Sequence, residues 1–163
     1  MAEGLPARTK LAFGIGSGAA ALANFCVGDY ALIGDSTHQI ARWGMPGVRI
    51  RTDAGLEGWG YTGTHAVLMT DRLVTSAIAD VMAPLLIGTD ATEVRHLHTT
   101  MTGHPNNIWM GRGGVLQMAI SAINIALWDL KAKAAEQPLW QLLGRSEDAT
   151  VEAYGRNCRN ARQ

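Results

Sequence analysis

The 163-residue sequence predicts an α+β domain, an antiparallel meander sheet followed by a helical bundle. Three observations carry the expectation. Residues 47–62, "GVRIRTDAGLEGWGYT", alternate apolar and polar positions on one side of a turn. From residue 70 onward apolar side chains recur at helical spacings. The longest such run, from about 113 to 136, is apolar over most of its circumference.

The elements follow in chain order. "NFCVGDYALI" is apolar and partly β-branched or aromatic, so a first strand is expected within 24–33, with "GDSTHQIARWGMPG" as a loop behind it. Val48, Ile50 and Thr52 alternate with Arg49 and Arg51, the period of a half-buried strand. "TDAG" supplies turn residues, and Leu56, Trp59 and Tyr61 open the return strand of a hairpin. Thr70 or Asp71 caps a helix to about Met82, with Val74, Ala77, Ile78 and Val81 on one face and Pro84 and Gly88 as its stop. Asp90 and Glu93 resemble a capping box for a helix over 91–102 that carries Val94, Leu97 and Met101. "GHPNNIWMGRGG" reads as a loop. In the long helix, Val115, Met118, Ala119, Ala122, Ile123, Ala126, Leu127, Leu130 and Ala134 form one stripe; Leu116, Ile120, Ile125 and Trp128 widen it, so the first half is expected to be buried on most sides. Gln137-Pro138 ends it, since the residue before proline disfavours the α region. "PLWQLLG" is a short helix with Gly144 as its stop, and "ATVEAYG" reads as one more strand.

Residues 1–28 form an atypical apolar, Gly/Ala-rich leader. Between Lys10 and Asp29 the run "LAFGIGSGAAALANFCVG" carries no charge. Arg8, Lys10 and an Ala21-Leu22-Ala23 end have the layout of a signal peptide. The glycines, Ser17 and Asn24 weaken a membrane-helix reading. Gly14-x-Gly16-x-x-Ala19 after "KLAFG", with Asp35 further on, has the elements of a dinucleotide fingerprint but lacks the second strand of a βαβ unit. An irregularly packed leader is the alternative to all three.

Hydrophobic residues make up 47% and charged residues 17%, the balance of a folded globular chain. Fourteen Lys and Arg against 14 Asp and Glu give zero formal net charge, so no nucleic-acid or anionic-membrane surface is expected. Cys26 and Cys158 form no disulfide framework and no C-x-x-C, which points to a reducing, cytoplasmic setting.

Lys131-x-Lys133 invites a reading as a proton-transfer pair. The surrounding "DLKAKAAEQ" is rich in helix formers, and on a helix residues two apart point about 200° away from each other. The pair is therefore expected on a solvated helix, not around one substrate. The same geometry separates His96 from His98, one half-buried and one exposed, and disfavours a shared metal. No Ser, His and acid set stands out, and no spacing of carboxylates makes an acid/base pair. No catalytic residue and no metal ligand is assigned.

"VRIRTDAGLEGWGYTG", "APLLIGTDATEV" and "SAINIALWDLKAKAAEQPLWQLLG" together resemble the N-terminal capping domain of the mandelate racemase and muconate lactonizing group of the enolase superfamily, over roughly 32–155. The third motif, with Ala126-Leu127-Trp128-Asp129, Lys133 and Pro138-Leu139 through Gly144, is the most specific. Asn124 stands where many relatives have Asp. Within the group the sequence is most similar to acid-sugar dehydratases and related racemases and cycloisomerases. The resemblance implies an enolase N-terminal-like domain over 29–144 and, over 145–163, only the first strand of a truncated (β/α) barrel. It implies, for a complete family enzyme, a carboxylate or acid-sugar substrate, loss of the proton α to that carboxylate, and Mg²⁺ bound by acidic residues of barrel strands that this chain does not reach. It implies no metal bound by this chain itself and, because the barrel is missing, no activity for the chain alone.

Two loops match the family's substrate-selecting loops in position. "GDSTHQIARW" is the first and "TGTHAVLM" the second, which makes Thr37, His38 and His65 the substrate-loop candidates. Trp59 and Trp128 are expected in the core, and Asp129, Lys131 and Lys133 at the surface or in helix pairing. A second reading is a non-catalytic interaction domain that pairs with a separate barrel, a further copy or another partner.

Overall fold

The computed structural model describes residues 11–12, 33–34, 39–40, 43–65, 70–109, 113–147 and 150. Seven strands are described: β1 (Leu11–Ala12), β2 (Ile33–Gly34), β3 (Gln39–Ile40), β4 (Trp43–Gly44), β5 (Gly47–Thr52), β6 (Glu57–Tyr61) and β7 (Thr64–His65). Helix α1 starts as Thr70–Ser76, passes through a π-helical stretch, Ala77–Met82, and closes as Ala83–Leu86. Four more follow: α2 (Val94–Gly103), α3 (Pro105–Trp109), α4 (Gly114–Ala134) and α5 (Leu139–Leu142).

Alternation in β5 decides which side of the sheet is the core. Val48, Ile50 and Thr52 are buried, while Arg51 is exposed. The turn closes as expected. The Thr52 N–H donates to the Leu56 carbonyl (2.9 Å), the Leu56 N–H donates to Thr52 Oγ1 (3.0 Å), and Gly55 takes a φ of +83° that a Cβ would strain. β5 is the middle strand of an antiparallel sheet ordered β1-β5-β6, with Leu11 opposite Thr52 and Ile50 opposite Gly58.

The return strand holds the first correction. Trp59 is 40% exposed rather than in the core. Residues 58 and 60 point inward, and both are glycine because α4 lies directly on β6. A Cβ on Gly58 would collide with the Ala126 carbonyl oxygen and stand 2.7 Å from Leu130 Cβ. A Cβ on Gly60 would collide with the Ala122 carbonyl oxygen and stand 2.6 Å from the Ala126 nitrogen. Small residues on both elements, Gly58 and Gly60 against Ala122 and Ala126, let backbone meet backbone. Trp59 therefore points outward, where the Arg49 guanidinium lies 5.5 Å from its ring centroid.

The core is built behind this contact. Ile50, Met82, Leu86, Leu97, Met101, Ile123, Leu127 and Leu130 are fully buried between sheet and helices. Trp128 is only half-buried, packed at the edge of the cluster. Helix α4 is not covered on all sides: Met118 is 36% and Ile125 41% exposed. Helix α1 runs past Met82 and over Pro84. The Ala83 N–H bonds the Ile78 carbonyl, five residues back, and this widened turn relieves the clash that a proline ring makes with the carbonyl four residues before it. The shift places Met82 in the core, while Val81 is half-buried. Helix α2 begins at Val94, later than expected. Asp90 is no cap for it: its Oδ1 instead accepts from the Thr92 N–H and hydroxyl, both at 2.8 Å, in a turn before the helix.

Two segments expected as loops carry structure. Gln39–Ile40 and Trp43–Gly44 supply β3 and β4, and Pro105–Trp109 supplies α3. Asn107 explains the second case. It is 3% exposed, and its Nδ2 donates to the Met101 carbonyl (2.6 Å) at the end of α2, so one polar side chain folds the segment back as a helical turn. Helix α4 ends with Glu136 at φ 51° and the Gln137 N–H on the Ala132 carbonyl (3.0 Å), a left-handed cap that proline then follows. Of the strand expected within 24–33 only Ile33 falls among the described residues, and the strand read from "ATVEAYG" has only Thr150 there.

Candidate functional site

The two candidate loops are brought together by strand register. β4 pairs antiparallel with β7, Trp43 opposite His65 and Gly44 opposite Thr64. This is the register of the β5–β6 hairpin carried on, since Gly47 lies opposite Tyr61 and the Thr62 N–H donates to the Pro46 carbonyl (3.0 Å) between the two ladders. One two-stranded ribbon thus runs from the 53–55 turn to His65. The stem of the first loop and the stem of the second lie side by side at its far end. Upstream, β2 pairs antiparallel with β3, Ile33 opposite Ile40 and Gly34 opposite Gln39.

The candidate residues fall on this frame as follows. His65 ends β7, beside Trp43. Thr37 and His38 lie between β2 and β3, outside the described residues. The geometry therefore unites the two loop stems.

The two lysines take separate jobs, as their spacing predicts. The Lys131 ammonium lies 5.6 Å from the Trp128 ring centroid. Lys133 Nζ donates to Asp129 Oδ2 (2.7 Å), one helical turn back, and to the Glu57 carbonyl (3.0 Å). Asp129 Oδ2 also accepts the Trp59 N–H at 2.8 Å. Among the described residues β6 is an edge strand, and its outward N–H and C=O groups need partners. Asp129 and Lys133 supply them, clasping α4 to that edge. Sequence reading placed both residues on the helix surface but missed the clasp, because its other half is backbone 70 or more residues away. Gly58-x-Gly60 inside a strand pattern was the available signal for a close backbone approach.

His96 is exposed and His98 half-buried, as expected. His98 lines a cleft of about 430 Å³ between α2 and α4, with Arg95, Thr99, Asn124 and Trp128. A second cleft, of about 330 Å³, lies where α2, α3 and α4 meet. Among the described residues no three His, Cys, Asp or Glu side chains converge, so the donor set for a magnesium ion is not found in them.

The fold and its motifs recur in known proteins. The sequence profile of the mandelate racemase / muconate lactonizing enzyme N-terminal domain matches residues 35–144. A D-galactonate dehydratase family member from Paenibacillus sp. (strain JDR-2) is 38% identical over 109 residues, which are 66% of this chain and 25% of that protein. D-mannonate dehydratase from Rhizorhabdus wittichii is 40% identical over 109 residues, again 25% of its length. The chain thus spans about a quarter of these curated relatives. The crystal structure of a racemase from Streptomyces coelicolor with bound magnesium superposes with a TM-score of 0.66 at 31% identity, over 84% of this chain and 34% of the other. L-talarate dehydratase from Polaromonas sp. JS666, complexed with Mg and L-glucarate, gives 0.63 at 27% identity, over 72% and 32%. The edge clasp, the strand glycines and the paired loop stems all fall within the matched residues, and the chain belongs to the mandelate racemase / muconate lactonizing enzyme family, of which it carries the N-terminal domain.

Proposed function

We propose that this domain caps the active site of a magnesium-dependent acid-sugar enzyme and selects its substrate. The reaction class is removal of the proton α to a carboxylate, leading to dehydration, racemisation or cycloisomerisation. The observation that carries the reading is the continuous ribbon from β5–β6 into β4–β7, which brings the stems of both loops to one end of the domain. Thr37, His38 and His65 are the side chains we assign to substrate contact there. Support for the substrate class comes from relatives: an L-talarate dehydratase was crystallised with Mg and L-glucarate. Magnesium, bound by residues other than those described, would stabilise the charge that develops on the carboxylate.

Lys131 and Lys133 take no part in the chemistry in this reading, since one lies over Trp128 and the other holds a strand edge. The chain by itself is accordingly inactive. The test is α-proton exchange in D₂O with a panel of acid sugars and Mg²⁺. No exchange above the enzyme-free rate is the expected result, and exchange above it would overturn the assignment.

A second reading has an observation of its own. Met118 and Ile125 form an exposed apolar stripe on α4, and Leu139, Trp140 and Leu143 are 38%, 39% and 61% exposed on and just after α5. Surfaces of this kind mark association sites. In that reading the domain pairs with a barrel supplied by a separate chain, and co-purification with the barrel half of a relative is the discriminating experiment.

A further inference from the structure

Helix α2 carries Arg95, His96 and His98 and no acid. Three or four positions from Arg95 stand Ala91, Thr92, His98 and Thr99, so no carboxylate pairs with it along its own face. Val94, Arg95, His98 and Thr99 instead line the open cleft of about 430 Å³, facing Asn124 and Trp128 of α4. Among the described residues the side chains of Arg95, His98 and Asn124 make no hydrogen bond or ion pair. Thr99 differs: its hydroxyl donates to the Arg95 carbonyl (3.0 Å), which leaves it an acceptor for anything in the cleft.

These walls ask for two features in a ligand. The Arg95 guanidinium is a fork of five donors, the Lys131 ammonium stands 5.6 Å from the Trp128 ring centroid, and no Asp or Glu lines the cleft. That calls for an anion, and a planar carboxylate matches the fork. The Thr99 acceptor calls for a hydroxyl, as do the Asn124 amide and the neutral His98 imidazole, which each donate and accept. Val94 and Trp128 supply apolar wall for a carbon chain. The volume is that of a small-molecule site. We propose that the α2–α4 cleft binds a small hydroxy-carboxylate of the acid-sugar class, with its carboxylate on Arg95 and its hydroxyls on Thr99, Asn124 and His98. Neither His65 nor either loop stem lines this cleft, so binding here is independent of substrate selection by the loops.

Titration of the isotope-labelled chain with gluconate, followed by NMR, tests this. The Asn124 side-chain amide and the Trp128 indole should shift and saturate, while the exposed Trp140 indole stays in place. Glucose has the hydroxyls without the charge, and acetate has the charge without the hydroxyls. Each of these, and inorganic phosphate, should bind at least about tenfold more weakly. Arg95→Met keeps the apolar stem and should weaken gluconate at least about tenfold. Asn124→Asp, which sets a carboxylate across the cleft from Arg95, should do the same. Both positions are partly or fully exposed, and an otherwise unchanged amide spectrum shows that each variant folds. Arg72→Met, an equal loss of charge at an exposed site on α1, should bind as the unmodified chain does. The proposal is overturned if gluconate gives no saturable shift at Asn124 and Trp128, or if glucose, acetate or phosphate binds equally well. It is overturned as well if Arg95→Met leaves binding unchanged, or if Arg72→Met weakens it as much.

Discussion

Replacing Gly60 with alanine tests the helix-on-strand contact that organises this domain. The added Cβ would collide with the Ala122 carbonyl oxygen and sit 2.6 Å from the Ala126 nitrogen. Both are backbone atoms of α4, so no side-chain rotation relieves the contact, and the helix must move off the strand. Overpacking in a filled core costs about 1–3 kcal/mol, and a backbone clash belongs at the upper end, about 3 kcal/mol. At about 2–4 °C per kcal/mol, the melting temperature should fall by roughly 6–12 °C. Gly58→Ala, which meets the Ala126 carbonyl and Leu130 Cβ, should behave alike. Gly63→Ala is the control, because nothing lies within 4 Å of its Cβ, and it should stay within about 0.5 kcal/mol. The double variant Gly60→Ala with Ala126→Gly sharpens the test. It should show no rescue, because the partners are backbone atoms and not the Ala126 methyl. Calorimetric or circular-dichroism melts read all four, and a Gly60→Ala variant as stable as Gly63→Ala would refute the close-packing argument.

Other substitutions probe the clasp and the helix end. Asp129→Ala removes the acceptor of the Trp59 N–H and the partner of Lys133; at this half-exposed edge it should destabilise by about 1–2 kcal/mol and speed hydrogen exchange at the Trp59 amide. Asp129→Asn keeps an acceptor for that amide and should keep most of its protection. Glu136→Gly removes a side chain from a left-handed position and should stabilise the chain by about 0.5–1 kcal/mol in denaturant unfolding.

The legible parts of the fold were those with a local period. The β5–β6 hairpin and the buried stripe of α4 followed from spacing alone. What spacing could not supply was the partner of each face. Trp59 reads as core by composition, yet α4 approaches so closely that only glycine fits inward and the indole is turned out. Asp129 and Lys133 read as a solvated helix pair, and their distant strand partners have no local trace. Pro84 reads as a stop, but one widened turn carries the helix past it. "GHPNNIWMGRGG" reads as a loop because the contact that folds it, Asn107 to the Met101 carbonyl, is a single hydrogen bond. The candidate loops were placed by resemblance to a family, and the ribbon that joins their stems emerged only from the register of β4 and β7.

The claim that this domain selects substrate is tested most directly by transplanting it. Residues 35–144 are put in place of the matching segment of the Paenibacillus dehydratase family member, and relative kcat/KM is measured across a panel of acid sugars. The account predicts a folded, magnesium-dependent enzyme whose substrate ranking differs from the parent's, with Thr37→Ala, His38→Ala and His65→Ala each changing the ranking again. A folded, active chimera with the parent's ranking, unmoved by all three substitutions, would contradict it.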